Sequence, residues 1–164
     1  MARIYISIGS NTRRDYHVRA AVAALQKHFG AVQLSSVYES EAVGFVGEPF
    51  YNLVAAADTH LSVADCIALF KQIEDQFGRD RSAAKFSGRT LDLDLLTYDN
   101  LICQQPVELP RAEITENAFV LWPLAELAPD VLHPSSGKTY ASLWQGYSKQ
   151  QKLWPVPFNW SEQH

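Results

Sequence analysis

Residues 62–96 read SVADCIALFKQIEDQFGRDRSAAKFSGRTLDLDLL, and they predict a helix, a basic loop and a strand in that order. Ser62 followed by Asp65 is a helix-capping pattern, with aspartate in place of the usual glutamate. Apolar residues then recur at helical spacing until Gly78, which suits the position just after a helix end. From Leu91 the chain alternates leucine with aspartate, as a half-buried strand does. The stretch therefore predicts one helix–strand unit of a mixed fold.

The segments on either side of this unit contain further strands and helices by the same criteria. Residues 4–8 alternate as a strand, and an apolar stripe at helical spacing follows and ends before Gly30. Strands are also predicted over residues 31–38 and 52–59. Beyond the unit we expect a strand near 107–109, a helix over about 119–127 and a tryptophan-containing C-terminal segment.

The resulting order is strand, helix, strand, strand, helix, strand, which is the split βαβ pattern of ferredoxin-like folds. We therefore predict an α+β sandwich with an antiparallel-rich sheet, helices on one face and additional C-terminal elements. Neither an internal repeat nor a linker divides the sequence, so residues 1–164 are expected to form a single domain. Many unrelated sites occur on this fold, which does not by itself indicate a function.

The composition is that of a globular protein with a sizeable core. The 164 residues are 47% hydrophobic and 20% charged, with a formal net charge of −4. A small protein that holds nucleic acid by its phosphates is usually basic, so the acidic balance disfavours such a partner. Two cysteines are too few for a disulfide scaffold or a four-cysteine zinc site. Neither a signal peptide nor a membrane span is predicted, and a cytoplasmic location is expected.

Asp92 and Asp94 are the first candidates for chemistry. Side chains two residues apart on a strand point to the same face, so the two carboxylates should project together, with leucines on the other face. Mg²⁺ favours carboxylates together with phosphate oxygens and water. The alternative is that this Asp-x-Asp pair is only the solvated edge of an antiparallel sheet, and the pattern leaves both interpretations open.

Four cations lie just upstream of the acidic pair, namely Arg79, Arg81, Lys85 and Arg89. Guanidinium groups fit phosphate oxygens in a bidentate manner. An acidic pair beside a basic loop is what metal-assisted phosphoryl-type transfer requires. Basic loops are also often merely solvated, and the sequence contains neither a Walker loop nor a protein-kinase glycine loop.

Three motifs resemble one known family. They are YISIGSN over Tyr5–Asn11, GRTLDLDLLTYDN over Gly88–Asn100 and FVLWPLAELAP over Phe119–Pro129. On these motifs the chain resembles the 6-hydroxymethyl-7,8-dihydropterin pyrophosphokinases of folate biosynthesis, up to about residue 145. The resemblance implies that diphosphate passes from ATP to the hydroxymethyl group of a reduced pterin, with AMP as the other product.

The resemblance also implies roles for the charged residues. Asp92 and Asp94 match the family's paired strand aspartates, which bind two Mg²⁺ ions bridging ATP and substrate. Arg79 and Arg89 match its catalytic arginines, in a loop that closes over ATP. Arg81 falls on a further arginine of that loop. The metal interpretation of the acidic pair is therefore favoured over the solvated edge.

Further matches outline two substrate pockets. Asn52 matches the asparagine that reads the pterin edge, and Phe119 matches the ring that stacks on the pterin. The other implied positions are Ser40, Val43 and Phe86 around the pterin, and Glu74 and Leu95 near the nucleotide. A planar ligand with a donor and acceptor edge suits a pocket with one stacking aromatic and a carboxamide. Core packing of Phe119 and a strand-end turn at Asn52 are the alternatives.

Two positions depart from the family pattern. After Leu109-Pro110 the family usually has a histidine, and often an arginine about six residues later, whereas the matching positions here hold Arg111 and Asn117. We expect Arg111 to contact the nucleotide phosphates instead. The alternative is a non-catalytic or altered-specificity relative that binds a pterin or nucleotide. The tail from about Gly146 has no match in the family pattern.

A ferredoxin-like nucleic-acid binder is a third possibility. The acidic balance and the lack of an RNP-type aromatic strand motif speak against it. The expected partners are therefore ATP and a reduced pterin, with Mg²⁺ as cofactor, and we expect a monomer that binds neither nucleic acid nor membrane.

Overall fold

A computed structural model of the chain describes residues 1–41, 49–78 and 91–160. Its strands form one sheet in which every neighbouring pair within these ranges is antiparallel. The strands are β1 (Ala2–Ser10), β2 (Gln33–Leu34), β3 (Val37–Ser40), β4 (Phe50–Thr59), β5 (Asp92–Tyr98) and β6 (Leu153–Val156). The sheet order is β5-β1-β4-β3-β6, with β2 also pairing with β4, so β5 and β6 lie at opposite edges.

The described ranges contain five helices, and the first, second and fourth lie where the sequence predicted helices. The five are α1 (Arg14–Phe29), α2 (Val63–Gln76), α3 (Glu113–Glu116), α4 (Ala118–Leu127) and α5 (Tyr140–Gln145). The predicted cap of α2 is confirmed, because Ser62 Oγ accepts a hydrogen bond from the Asp65 amide over 3.1 Å. Gly30 follows α1 at a φ of 79°, a conformation that glycine adopts without the steric cost of a side chain.

One face of the sheet carries the larger of two hydrophobic cores, here called the first core. Ile4, Ile6 and Ile8 of β1 pack there with buried residues of α1 and α2, and all three isoleucines have an exposure of 0%. Burying each such side chain contributes about 1.5–3 kcal/mol. Helices α1 and α2 are therefore held on this face as predicted.

The opposite face is also covered by helices, so the prediction of helices on one face only was wrong. Tyr5, Val54 and Leu96 point away from the first core and pack with residues of α4 and with Tyr140 of α5, forming the second core. The central strands are apolar on both faces, and strands of that kind are buried on both sides. The sheet thus lies between two helical layers, and the fold remains the predicted α+β arrangement with an antiparallel sheet.

The strand predicted over residues 31–38 is divided into β2 and β3 at Ser35. The Ser35 hydroxyl accepts a hydrogen bond from the Val54 amide over 3.0 Å, where a regular ladder would use a backbone carbonyl. Near residues 107–109 the structure contains only an isolated bridge between Cys103 and Leu109. Cys103 and Leu109 exchange two backbone hydrogen bonds of 3.0 Å, and the next amide that would continue this pairing, that of Arg111, donates to the Leu96 carbonyl instead.

Within the described ranges, no helix has the length and apolar character needed to cross a membrane.

Cys66 provides a test of the first core. The residue has an exposure of 0%, and burial, with a smaller contribution from the Asp65 carboxylate, raises the pKa of its thiol to about 11. Because the thiolate is the reactive form, we expect alkylation at pH 8 to be at least about tenfold slower at Cys66 than at half-buried Cys103. Mass spectrometry of the iodoacetamide-treated native protein measures both rates. In denaturant the two rates should converge, and equal rates in the native protein would contradict the packing of α2.

Candidate active site

A cavity of about 270 Å³ opens at one end of the sheet, on the face that carries α4. Polar residues of the strands and two phenylalanines form its lining. The lining residues are Ser7, Gly9, Ser40, Glu41, Phe50, Asn52, Asp92, Asp94 and Phe119. Five residues predicted from the sequence are therefore brought together in one cavity: Ser40, Asn52, Asp92, Asp94 and Phe119.

Strand register explains how the cavity unites residues that are distant in sequence. Gly9 of β1 pairs with Asn52 of β4 on one side and with Asp92 of β5 on the other. Ser7, two residues before Gly9, pairs with Asp94. Because strand residues two apart share a face, the acidic pair and the carboxamide project into the same space from strands on either side of β1.

Gly9 allows the close approach that shapes the floor of the cavity. A Cβ atom at this position would lie 3.1 Å from Asn52 Oδ1, closer than ordinary van der Waals contact. Gly9 is not among the site residues predicted from the sequence. A glycine within a strand pattern often marks a close approach, and this signal could have found it. Ser7, Glu41 and Phe50 were also missed, although Ser7 alternates with the buried isoleucines of β1 and is thereby placed on the other face.

Asn52 is held in place by a hydrogen bond within the cavity wall. Its Nδ2 donates to Ser40 Oγ over 2.7 Å, and the exposures of the two residues are 5% and 7%. A buried carboxamide with a fixed donor keeps its acceptor in one orientation, which suits recognition of a heterocycle edge. Asn52 thus lies within β4 and not in a strand-end turn, which was the alternative interpretation.

Tyr38 forms the support behind Asn52, with which it pairs across β3 and β4. Its hydroxyl donates to Glu126 Oε1 over 2.7 Å, and its ring centroid lies 4.9 Å from that of Trp122. Burial, and then the hydrogen bond and charge of Glu126, raise the pKa of Tyr38 well above the usual value for a phenol. The phenol therefore stays neutral, and α4 is tied to the strand beside the asparagine.

Phe119 lies near the start of α4 and is half-buried at the edge of the second core. Its ring lines the cavity together with Asn52, so one aromatic group and one carboxamide face the same space. This is the pairing that a planar ligand with a polar edge requires. The Phe119 ring both packs against the second core and lines the cavity, so the alternative of core packing and the predicted site role hold together.

Arg111 lies beside the acidic pair. Its guanidinium is 3.6 Å from Asp94 Oδ1 and 3.7 Å from Glu113 Oε2, and its Nε donates to the Leu95 carbonyl over 3.1 Å. With its side chain 24% exposed, the residue does not extend freely into solvent. A permanent positive charge is thereby held beside Asp94, although Arg111 does not itself line the cavity.

Glu74 and Leu95 lie on the face of β5 opposite to Asp92 and Asp94. Leu95 belongs to the first core, and Glu74 of α2 lies next to it. Glu74 is buried and its Oε2 accepts a hydrogen bond from the Leu93 amide over 2.8 Å. Leu95 has an exposure of 1% and packs in the first core, on the face of the sheet that carries α1 and α2. Both side chains therefore support the strand that carries the acidic pair, and their predicted contacts with a nucleotide stay predictions.

The five remaining predicted site residues lie outside the described residues. They are Val43, Arg79, Arg81, Phe86 and Arg89.

The two strand aspartates fit a hard divalent cation. Within residues 1–41, 49–78 and 91–160, no three side chains from histidine, cysteine, aspartate and glutamate form a ready metal cage. Mg²⁺ does not need such a cage, because it retains several waters and commonly binds one or two carboxylates plus substrate phosphates. Asp92 and Asp94 are both partly exposed and both line the cavity, as such a site requires.

Comparison with known proteins identifies the family. Residues 5–129 match the model of the 7,8-dihydro-6-hydroxymethylpterin-pyrophosphokinases, a match that includes every described residue of the cavity. The chain belongs to this pyrophosphokinase family. The resemblance carried by the three sequence motifs is thereby confirmed.

Individual relatives support the same assignment. The chain is 36% identical over 137 residues to the 2-amino-4-hydroxy-6-hydroxymethyldihydropteridine pyrophosphokinase of Pseudomonas aeruginosa, covering 80% of this chain and 84% of that protein. It is 32% identical over 137 residues to the Aquifex aeolicus protein of the same name, covering 82% of this chain and 85% of that protein. The pyrophosphokinase alignments thus extend over most of both partners.

Solved structures confirm the fold. The structure of wild-type Plasmodium falciparum HPPK-DHPS with pteroate matches with a TM-score of 0.72 and 14% sequence identity. The match covers 89% of this chain but only 42% of the Plasmodium chain, so this chain spans less than half of that protein's length. At this identity the likeness concerns the fold alone.

Proposed function

We propose that this chain transfers the diphosphate of ATP to the hydroxymethyl group of 6-hydroxymethyl-7,8-dihydropterin, with release of AMP, in folate biosynthesis. One observation carries the proposal: a single cavity joins a carboxamide and an aromatic ring to a pair of carboxylates. The first pair of groups suits a pterin and the second suits metal-bound phosphates. An enzyme that joins these two substrates needs both within one enclosed space.

The pterin end of the cavity is formed by Asn52, Ser40 and Phe119. The Asn52 carboxamide, fixed by Ser40, would bond the polar edge of the heterocycle, while the Phe119 ring would stack on its face. A site built to bond one heterocycle edge rejects ligands that leave its buried polar groups unpaired. This end of the cavity therefore orients the hydroxymethyl group and selects the substrate.

The phosphate end is formed by Asp92 and Asp94, which would hold Mg²⁺. When bound, the metal neutralises the polyphosphate and supports in-line displacement by the substrate oxygen. The carboxylates come from one strand, and their positions follow from backbone geometry rather than from a flexible loop. Arg111 would add a positive charge at the same end, beside Asp94. We propose that Arg79 and Arg89 stabilise charge on the transferred group and that Arg81 binds the nucleotide, as the family resemblance implies.

The proposed function is tested by measuring AMP release with ATP, Mg²⁺ and 6-hydroxymethyl-7,8-dihydropterin. AMP should appear only when all three are present, and chelation of the metal by EDTA should stop the reaction. Release of ADP in place of AMP would contradict diphosphate transfer. AMP release without the pterin would contradict the proposed acceptor.

A non-catalytic or altered-specificity relative is the second interpretation, because Arg111 and Asn117 replace the residues usual in the family. The position of Arg111 favours the catalytic interpretation, since its cation lies beside Asp94 and not away from the cavity. The relatives that match over most of the chain are also named as pyrophosphokinases. The monomeric state and the cytoplasmic location stay predictions.

Arg111 gives a direct test of how the altered nucleotide end works. We expect Arg111→Ala to raise the KM for ATP about tenfold to 150-fold, because a hydrogen bond to a charged group contributes about 1.5–3 kcal/mol. The KM for the pterin should change little. Steady-state kinetics in both substrates measures the effect.

Arg3→Ala is the matched control for Arg111, since Arg3 forms a 3.5 Å ion pair with Asp58 at the far end of β1 and β4. An unchanged ATP KM in Arg111→Ala would show that Arg111 does not contact the nucleotide. If Asn117→Arg also raised turnover strongly, the chain would be an attenuated member of its family.

A further inference from the structure

The C-terminal segment lies beyond residues 5–129, to which the family model matches, yet it contacts two of the elements that line the cavity. Residues 151–153, here called the bridge segment, run from the start of α4 to the edge of β3. These two elements carry opposite parts of the proposed pterin pocket, with Phe119 on α4 and Ser40 on β3. The bridge segment is thus the part of the tail placed to influence ligand binding.

The first contact of the bridge segment is with the strand wall. Leu153 pairs with Ser40 in the antiparallel register of β6 and β3. The Glu41 amide donates to the Lys152 carbonyl over 3.4 Å, which extends the ladder by one step. Ser40 and Glu41 both line the cavity, so the tail holds the backbone of this wall by main-chain hydrogen bonds.

The second contact is with the helix wall. Gln151 Oε1 accepts a hydrogen bond from the Ala118 amide over 2.7 Å, and its Nε2 donates to the Glu116 carbonyl over 3.4 Å. The first amides of a helix lack intrahelical partners and are normally bonded by a capping side chain. Asn117 occupies the capping position without forming such a bond, so the acceptors come from farther along the chain: Gln151 Oε1 at 2.7 Å and the Tyr147 hydroxyl, which also interacts with the Ala118 amide. The residue that follows Ala118 is Phe119.

We propose that Gln151 is a positioning residue for the pterin, acting through the start of α4 and the Phe119 ring. The inference rests on the proposed function. Stacking on Phe119 and edge bonding to Asn52 require a fixed separation between helix and strand, and the bridge segment connects these two walls directly. A shift of the ring by a fraction of its stacking distance would weaken pterin binding without unfolding the protein.

The effect should be confined to the pterin. Asp92 and Asp94 lie on β5, at the edge of the sheet opposite β6. The tail itself stays attached when Gln151 is altered, because Arg19 donates to the Asn159 carbonyl over 2.9 Å and the Phe158 ring lies 5.8 Å from the Tyr51 ring. Loss of the glutamine bonds therefore loosens the helix start and leaves the strand pairing.

The test compares Gln151→Met with Gln150→Met, the same substitution at the exposed neighbouring glutamine. We expect Gln151→Met to raise the KM for 6-hydroxymethyl-7,8-dihydropterin about fivefold to tenfold. The KM for ATP should stay within about twofold. Gln151→Glu keeps an acceptor for the Ala118 amide and should restore the pterin KM. Gln150→Met should behave as the unaltered chain.

A reciprocal variant removes the donor and leaves the sequence of the tail unchanged, although the proline ring displaces the Gln151 side chain from its present position. Ala118→Pro deletes the amide hydrogen, and proline is tolerated at the first position of a helix. Asn117 has φ −117° and ψ 122°, the extended conformation favoured before proline. We expect the same rise in pterin KM, with no further rise when Gln151→Met is added. Hydrogen exchange of the Ala118 amide should be faster in Gln151→Met than in the unaltered chain. This measurement detects the loss of the hydrogen bond independently of activity.

Two results would overturn the inference while leaving the proposed function intact. One is an unchanged pterin KM in Gln151→Met together with normal AMP release. The other is an equal rise in both KM values, which would indicate a general loss of structure. Failure of the unaltered chain to release AMP would instead reject the proposed function, and the inference with it. The unaltered chain therefore distinguishes the two failures.

Discussion

Replacing Asp92 or Asp94 by asparagine should lower turnover at least about a hundredfold, which corresponds to about 2.7 kcal/mol of lost transition-state stabilisation. Each change removes one negative charge from the pair that faces the cavity and leaves its size almost unchanged. A neutral amide binds Mg²⁺ more weakly than a carboxylate does. The ATP phosphates would then lack a firmly bound Mg²⁺ ion to offset their negative charge. Release of AMP under saturating ATP and pterin measures the loss.

The fold should survive these two substitutions, because both carboxylates are partly exposed. Thermal unfolding should therefore shift little in either variant. Asp58→Asn is the matched control, since this carboxylate is 56% exposed and lies at the opposite end of the sheet from the cavity. Near-normal turnover in both Asp92→Asn and Asp94→Asn would show that the acidic pair holds no metal needed for the reaction.

Replacing Asn52 by alanine should weaken pterin binding about fivefold to 150-fold, from the loss of about 1–3 kcal/mol when a buried polar partner is removed. The substitution deletes the carboxamide that would bond the heterocycle and leaves the Ser40 hydroxyl without the donor it now has. Binding of ATP should be nearly unchanged, because the acidic pair and Arg111 are untouched. Calorimetry with each ligand separately measures both affinities.

The exposed turn residue Asn100 offers the control for this experiment, and Asn100→Ala should leave both affinities unchanged. Equal losses for pterin and ATP in Asn52→Ala would place the carboxamide outside the pterin pocket. A loss of affinity for the pterin alone would also show that the pterin end and the phosphate end of the cavity bind their ligands independently.

Much of the local structure could be predicted because it depends on neighbours in the chain. The cap at Ser62 needs only a hydroxyl three residues before an amide, and the structure contains that bond. The shared face of Asp92 and Asp94 follows from the two-residue repeat of a strand. The division of residues 31–38 could not be predicted, because it depends on the Ser35 hydroxyl meeting the Val54 amide of another strand.

The second helical layer was missed for a related reason. The alanine-rich sequence of β4 predicts a strand only weakly, because alanine is not a typical strand residue. Its small side chains do not indicate which face of the strand is covered. Only the packing of α4 and α5 against Val54 and Ala56 reveals that both faces are buried. The glycine within the β1 pattern could have indicated a close approach at Gly9, but that the approaching residue is Asn52 follows only from the strand register.

By itself, the sequence determined the order of the main elements, the alternation that pairs Asp92 with Asp94, and the family to which the motifs belong. The tertiary structure alone decided that Asn52, Gly9 and Asp92 form one row, and that Gln151 bonds the amide of Ala118, 33 residues away. The physical reason is the range of the interactions. Helix periods and caps are satisfied within a few residues, whereas strand register and long-range hydrogen bonds form only when distant segments pack together.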